Sequence, residues 1–281
     1  MPKISEVYNR ALQEGKGKDI LSNDVRILIA ADNGFREPVD TLFHRDDEMK
    51  NLPLFEEQFQ RLLKQEPVEY ILGEARFLQF RLKVDKRVLI PRMETAELVS
   101  HISEEITNWY DPRNYLVVAD VGTGSGCIAL ALRSLFPNWL ITASDVSEDA
   151  LDVAKENFHS YNLPIRTLKG SDLDPYIEAH MNLDLIVSNP PYILNQDEVQ
   201  DSVKNFEPAT ALYLDKNHSV YEEIFKKAYQ VKKGSLLMAF EIGYDLEDYL
   251  KGLMNRYLHD YDFTFEEDMN GLTRFLFVFL H

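Results

Sequence analysis

The chain has 281 residues, 45% of them apolar, with a net charge of −17 and a single cysteine, Cys127. That length suits one large domain or two smaller ones, and no apolar run reaches the roughly 20 residues of a membrane span. The acidity argues against a protein that wraps nucleic acid, which needs a basic surface for the phosphates. One cysteine excludes an internal disulfide and fits a reducing cytoplasm. The first residues, "MPKISEVYNRALQEGK", lack the apolar core of a signal peptide. The seven histidines show neither HxxxH nor HExxH spacing, so no metal is expected.

Residues 1–75 read as a small helical bundle. "ISEVYNRALQEG" and "LPLFEEQFQRLLKQ" carry apolar residues at helical spacing, and "NDVRILIAADNG" fits a helix capped by Ser22 or Asn23 and ending near Gly34. No chemical motif occurs in this part, so recognition of a partner or substrate suits it better than catalysis. Residues 76–90, "RFLQFRLKVDKRVLI", predict two short strands with a turn near Asp85, a hairpin linking two domains. "PRMETAELVSHISEEITNWY" then begins with Pro91 and continues as a helix, opening a second domain over 91–281. From residue 115 strands and helices alternate: "YLVVADVG", "SGCIALALRSLF", "WLITASDVS", "EDALDVAKENFHSY", "LDLIVSNPPY", "SVYEEIFKKAYQVKK", "GSLLMAFEIG". Such alternation predicts an α/β, Rossmann-like domain: a mostly parallel sheet covered on both faces. The tail, "YDFTFEEDMNGLTRFLFVFL", predicts two strands around an Asn270-Gly271 turn and hence an antiparallel edge.

"DVGTGSG" places Asp120, Gly122, Thr123, Gly124, Ser125 and Gly126 directly after the first of these strands. Glycines there let backbone approach a ligand closely, and the following helix offers free N–H groups. Alone, the loop also fits a tight strand-to-helix turn. Asp145 ends the next strand, where a carboxylate can accept from both hydroxyls of a ribose; alone, it fits a helix cap shared with Ser147 or Asp149. The pair is more specific than either member. An acid before the first glycine, D-x-G-x-G-x-G rather than G-x-G-x-x-G, and an antiparallel sheet end favour S-adenosylmethionine over a nicotinamide cofactor. After a further strand, "IRTLKG", Asp172 can reach an adenine amino group and Leu173 can pack on the ring, or simply in the core.

"LDLIV" is an apolar strand that stops at Ser188-Asn189-Pro190-Pro191-Tyr192-Ile193, because Pro cannot donate to a sheet. In an open parallel sheet ligands bind beyond the C-terminal strand ends, so Asn189 is expected near the methyl group of the cofactor. An amide-type nitrogen is a poor nucleophile. Acceptors on both its N–H groups, the Asn189 side-chain oxygen and the Pro190 carbonyl, fix its orientation and draw density toward nitrogen. Pro190 and Pro191 stiffen the loop, and Tyr192 packs on the flat amide or ring. Asn189, Pro190, Pro191 and Tyr192 are thus the candidate catalytic residues. The segment resembles the N/D-PPY mark of enzymes that methylate planar NH2 groups, adenine N6 in nucleic acids and glutamine side chains in proteins.

Several further stretches, in order, extend that likeness: "EPVEYILGEARF" (66–77), "VLIPRMETAELV" (88–99), "DVGTGSGCIALAL", "SNPPYI", "EPATAL" (207–212), "EIG" (241–243), and Asp268, Gly271 and Arg274 as D-x-x-G-x-x-R. Over nearly its whole length the chain resembles the peptide chain release factor glutamine N5-methyltransferases, the HemK/PrmC type. The resemblance implies a helical N-terminal domain, a hairpin linker and a methyltransferase domain using S-adenosylmethionine, with S-adenosylhomocysteine as product. It implies the glutamine of the release factor Gly-Gly-Gln loop as methyl acceptor, and Gly122 to Gly126 with Asp145 as the cofactor site. Leu173 falls where the family often has an aromatic. Met93 stands where it usually has Pro, Ala96 where it usually has Glu, and Leu246 where Gln often follows "EIG". Arg92 and Glu94 remain, and an ion pair within the chain suits them as well as a substrate contact. An adenine N6-methyltransferase acting on DNA or RNA is the competing reading, since the same chemistry serves both. A catalytically silent binding module is a third, against which the intact Asp120, Gly122, Asp145 and Asn189 argue.

Overall fold

The computed structural model describes residues 1–18, 20–111, 115–194, 200–215 and 219–281, which include every candidate site residue. The chain divides into two compact units, Met1–Glu74 with Val199–Phe206, and Ala75–Glu198 with Glu207–His281. Among the described residues no helix is long and apolar enough to cross a membrane.

The smaller unit holds helices α1 (Ile4–Glu14), α2 (Ser22–Asn33), α3 (Asp40–Phe43), α4 (Leu52–Leu62) and α5 (Val68–Leu72). Ile4, Val7 and Ala11 recur at three- and four-residue steps, so one face of α1 is apolar and packs on Val25, Leu28 and Ile29 of α2 and on Phe55 and Phe59 of α4. The α2 helix starts at Ser22 behind Leu21, with no side-chain cap bond, and stops where Gly34 takes φ 72°. The exposed side of α3 is apolar: Leu42 and Phe43, with Val39 just before them, lie at the surface.

A hairpin follows, β1 (Glu74–Phe77) and β2 (Phe80–Lys83). Its turn is at Leu78-Gln79, not near Asp85 as the sequence suggested. Leu78 takes φ 50°, a conformation that its residue type does not signal. Asp85 instead stabilises a second turn, accepting from the backbone N–H and guanidinium of Arg87. Asn157 holds β2 in place by a paired exchange with the Lys83 backbone, 2.7 and 3.0 Å, and reaches the Ser125 carbonyl at 2.8 Å.

The larger unit continues with α6 (Met93–Trp109), β3 (Val117–Val121), α7 (Cys127–Leu135), β4 (Leu140–Asp145), α8 (Glu148–Ser160), β5 (Arg166–Lys169), α9 (Asp174–Glu178) and β6 (Leu183–Ser188). The helix α10 (Asp201–Phe206) belongs to the smaller unit, and α11 (Ala209–Leu212), α12 (Val220–Val231), β7 (Lys232–Glu241), α13 (Glu247–Tyr257), β8 (Tyr261–Glu267) and β9 (Thr273–Leu280) complete the larger one. Its sheet has the order β5-β4-β3-β6-β7-β9-β8, parallel through β7, with β9 antiparallel to both β7 and β8. This is the class I methyltransferase, Rossmann-like fold with its antiparallel C-terminal edge. Alternate strand residues feed two cores, as a period of two requires: Leu185 and Val187 pack among α6, α7 and α8, whereas Ile186 packs among α9, α12 and α13. The strand order reverses between β3 and β6, and a ligand crevice opens beyond the C-terminal ends at such a point. The register aligns Val121 with Ser188, so the glycine loop and Asn189 leave the sheet side by side.

Candidate active site

The glycine loop is held by the acids on either side of it. Asp120, with no exposed surface, accepts at Oδ2 from Thr123 Oγ1 (2.6 Å) and from the backbone N–H of Ala129 (3.1 Å) in the first turn of α7. It therefore sits beneath the loop, tying it to the helix N-terminus, and burial raises its pKa to about 7. Its Oδ1 is buried without a hydrogen-bond partner. The Gly122 and Thr123 N–H groups both donate to the Ser144 carbonyl, at 2.9 and 2.8 Å, which turns the chain sharply over the sheet edge. The three glycines do different work. A Cβ on Gly122 or Gly124 meets nothing within 4 Å, whereas one on Gly126 falls 2.5 Å from the Phe158 ring. Gly126 is thus a close packing contact between α7 and α8, while the other two line an open cradle.

Asp145 closes this cradle. Its Oδ2 accepts from the Gly124 N–H and its Oδ1 from the Ser147 N–H, both at 2.9 Å. The helix cap that the sequence allowed for Asp145 is supplied by Ser147, whose Oγ accepts from Ala150. Burial raises the Asp145 pKa against the backbone bonds that lower it. A carboxylate has about four lone-pair sites, so two are left for hydroxyl donors. An acceptor pair at the second strand end beside a glycine cradle suits a ribose-bearing ligand such as S-adenosylmethionine. Asp172 takes φ 40° and its Oδ1 is paired with Lys227 at 2.5 Å and with the Leu173 N–H at 3.1 Å. Leu173 has no exposed surface and packs with Tyr176, Ile186 and Tyr221. Of the two readings the sequence offered for Leu173, core packing is the one its position matches.

At the end of β6, Ser188 Oγ donates to the Val121 carbonyl at 2.7 Å, fastening the two strand ends together. Asn189 is half-buried and its Nδ2 donates to Thr95 Oγ1 at 3.0 Å. Thr95 in turn donates to Glu241 Oε2 at 2.7 Å, and the Tyr192 hydroxyl donates to Glu241 Oε1 at 3.2 Å. Glu241 ends β7 with no exposed surface, and burial raises its pKa to about 7. Burial likewise raises the Tyr192 hydroxyl, with Glu241 adding to the effect, so it remains a donor. The Arg274 guanidinium lies 5.8 Å from the Tyr192 ring centroid and bonds Asp268 and the Ile242 carbonyl. Beyond Tyr192, Ile193 pairs with the α11 segment, donating to Leu212 and accepting from Leu214. Glu207, just before α11, accepts from Arg92 and from the Ile90 N–H, so Arg92 forms an ion pair within the chain. Cys127 is buried, which pushes its thiol up to about 12 and leaves it inert.

Thr95 and Glu241 were not among the residues singled out for the site. A signal existed: Glu241 closes "SLLMAFE", where a charge in a buried strand demands a partner.

Residues 95–257 match the family model described as "Methyltransferase small domain". Release factor glutamine methyltransferases from three bacteria align over most of their length. The Streptococcus pneumoniae protein is 41% identical over 79% of this chain and 78% of its own. That of Enterococcus faecalis is 35% identical over 83% of each chain, and that of Bacillus subtilis 33% over 76% of each. The chain belongs to the release factor glutamine methyltransferase family. Two solved structures share the fold at 17% identity: the hMettl16 catalytic domain, with a TM-score of 0.53 over 71% of this chain and 74% of that one, and a methyltransferase from Pyrococcus furiosus, with 0.50 over 79% and 97%. Among the positions where this family member departs from the usual residues, Ala96 and Leu246 are buried and only Met93, at the start of α6, is exposed. Of the three, only Met93 presents its side chain to the surface.

Proposed function

We propose that this chain transfers a methyl group from S-adenosylmethionine to the side-chain amide nitrogen of the glutamine in the Gly-Gly-Gln loop of peptide chain release factors. The observation that carries the reading is the register of β3 and β6, which sets Asn189 beside the glycine loop in a chain whose relatives are named release factor glutamine methyltransferases. The bound cofactor supplies an electrophilic methyl on a sulfonium. Gly122 to Gly126 cradle it with backbone, and Asp145 takes its ribose hydroxyls. Asp172 keeps Oδ2, the oxygen opposite the Lys227 pair, for the adenine amino group. Asn189 Oδ1 and the Pro190 carbonyl accept from the two N–H groups of the glutamine amide. Tyr192 walls the pocket. The amide nitrogen gains the methyl, with S-adenosylhomocysteine as the leaving group, and gives up one proton to solvent. Positioning supplies much of the rate, since a sulfonium is already a good leaving group.

The smaller unit serves as the docking surface for the release factor, its apolar Val39, Leu42 and Phe43 being exposed. The compartment is the cytoplasm, where release factors work. Mass spectrometry of a release factor incubated with the enzyme and S-adenosylmethionine tests the reading. The expected result is one methyl on the Gly-Gly-Gln glutamine; an unmodified glutamine with cofactor bound overturns it. Phe43→Ser is expected to lower kcat/KM on the whole factor about fivefold and to spare a short Gly-Gly-Gln peptide. Equal loss on both removes the docking role.

A further inference from the structure

We propose that Glu241 and Thr95 form a hydrogen-bond relay that fixes which end of the Asn189 amide meets the substrate glutamine. The inference rests on the glutamine-methylating reading and names positioning residues for it. The argument is one of donors and acceptors. Thr95 Oγ1 carries one hydrogen, and an ionised carboxylate only accepts, so Glu241 Oε2 at 2.7 Å takes it. Toward Asn189, 3.0 Å away, Thr95 then presents a lone pair, which only the Nδ2 end of the amide can meet. That leaves Oδ1 on the other branch, as the acceptor for a substrate N–H. A flipped amide would set its own NH2 against the NH2 of the substrate, donor against donor. A carboxylate three hydrogen bonds from the reacting nitrogen thus sets the polarity of the whole line.

The rest of the surroundings hold the carboxylate in that role. Tyr192 donates to Oε1, so both oxygens accept, and the Tyr221 hydroxyl bonds the Glu241 backbone carbonyl at 2.8 Å. Among charged and titratable neighbours, Arg274 favours the ionised form; Glu94 opposes it; Tyr192, Tyr221 and the Cys127 thiol are held neutral by burial. Burial brings Glu241 to about 7. A proton on Glu241 Oε2 turns that acceptor into a donor, so Thr95 must reorient and the amide loses its fixed polarity.

The relay predicts that Thr95→Val lowers kcat about ten- to a hundredfold, with the dissociation constant of S-adenosylmethionine unchanged, and that Thr95→Ser restores it. The wild-type kcat falls as pH falls through about 7, and Glu241→Gln abolishes that limb. Asp120 titrates in the same range but lies under the glycine loop, so its proton moves the KM for cofactor and not kcat. A second readout uses no methyl transfer. In the cofactor-free protein, the ¹⁵N side-chain resonance of Asn189, assigned with Asn189→Ala, shifts with pH around the same midpoint and stops doing so in Glu241→Gln. Wild-type kcat in Thr95→Val, or an Asn189 resonance indifferent to pH and to Glu241→Gln, overturns the relay. If the wild-type enzyme leaves a Gly-Gly-Gln peptide unmethylated, the functional reading falls, and the resonance titration still decides for or against the relay.

Discussion

The glycine loop and the Asn189 pocket leave neighbouring strands, yet different forces hold them. In the loop, carboxylates accept from backbone over short chain distances: Asp120 from Ala129, nine residues on, and Asp145 from Gly124, 21 residues away. The pocket hangs on side chains from remote elements. Asn189 and Thr95 are separated by 94 residues, Thr95 and Glu241 by 146, and Tyr192 and Glu241 by 49. A backbone-held loop keeps its shape as long as its two acids remain. A side-chain line has a direction, and every member must keep its donor or acceptor role.

Breaking that line at its end has the largest expected effect. Asn189→Ala removes an acceptor for the substrate amide and should cut kcat about 10²- to 10³-fold, while the cofactor dissociation constant stays within twofold. Isothermal titration with S-adenosylmethionine and single-turnover kinetics check both halves. Substantial remaining turnover would falsify the role given to Asn189.

Glu241 gives the next test, through stability rather than rate. Its folded pKa, about 7, is above the ordinary 4.5 of a glutamate because burial disfavours the charge. Its contribution to stability is therefore fully present below about 4.5 and is lost as pH rises through about 7, some 3 kcal/mol in all on the conversion of pKa shift to energy. Glu241→Gln carries no such charge. Its unfolding free energy in urea should fall less steeply between pH 5 and 8 than that of wild type, although Asp120 still supplies a slope of the same sign. Parallel slopes in the two proteins refute a buried, titrating Glu241.

These two expectations mark the boundary of what the sequence shows by itself. The loop, Asp145 and Asn189 are legible because each sits at a strand end with its own local signature, and the alternation of strands and helices gives the sheet. Thr95 is not legible as a neighbour of Asn189: only the docking of α6 against the ends of β6 and β7 brings them together. The hairpin turn escaped because Leu78 adopts a positive φ without the glycine or asparagine that usually marks one. Leu173 could be read two ways because an apolar residue after a strand serves a ring or a core equally well.

On the loop side, Asp145→Ala removes the acceptor proposed for the ribose and frees the Gly124 N–H. Hydrogen bonds to a charged group are worth about 1.5–3 kcal/mol, so the cofactor dissociation constant should rise ten- to a hundredfold. At saturating cofactor, kcat should stay within about threefold, the reverse of Asn189→Ala. A loss of kcat with unchanged affinity would merge the two regions into one.

The smallest effects separate the glycines of the loop itself. Gly122 and Gly126 have nearly equal φ, 72° and 82°, so alanine at either suffers a similar left-handed strain of roughly 1–2 kcal/mol. Their surroundings differ. An added methyl at Gly126 meets Phe158 Cε1 at 2.5 Å and Ala154 Cβ at 3.2 Å, while at Gly122 it meets nothing. Overpacking of that kind costs about 1–3 kcal/mol more, because α7 or α8 must shift. Gly126→Ala should therefore lower Tm more than Gly122→Ala, and Phe158→Leu should recover part of the difference. For cofactor affinity the order reverses if the open side of Gly122 is where ligand backbone contact is made: Gly122→Ala should weaken binding by more than its change in stability accounts for. If the two variants lose affinity only in proportion to stability, the loop is a strand-to-helix turn, and the open side at Gly122 is not a cradle.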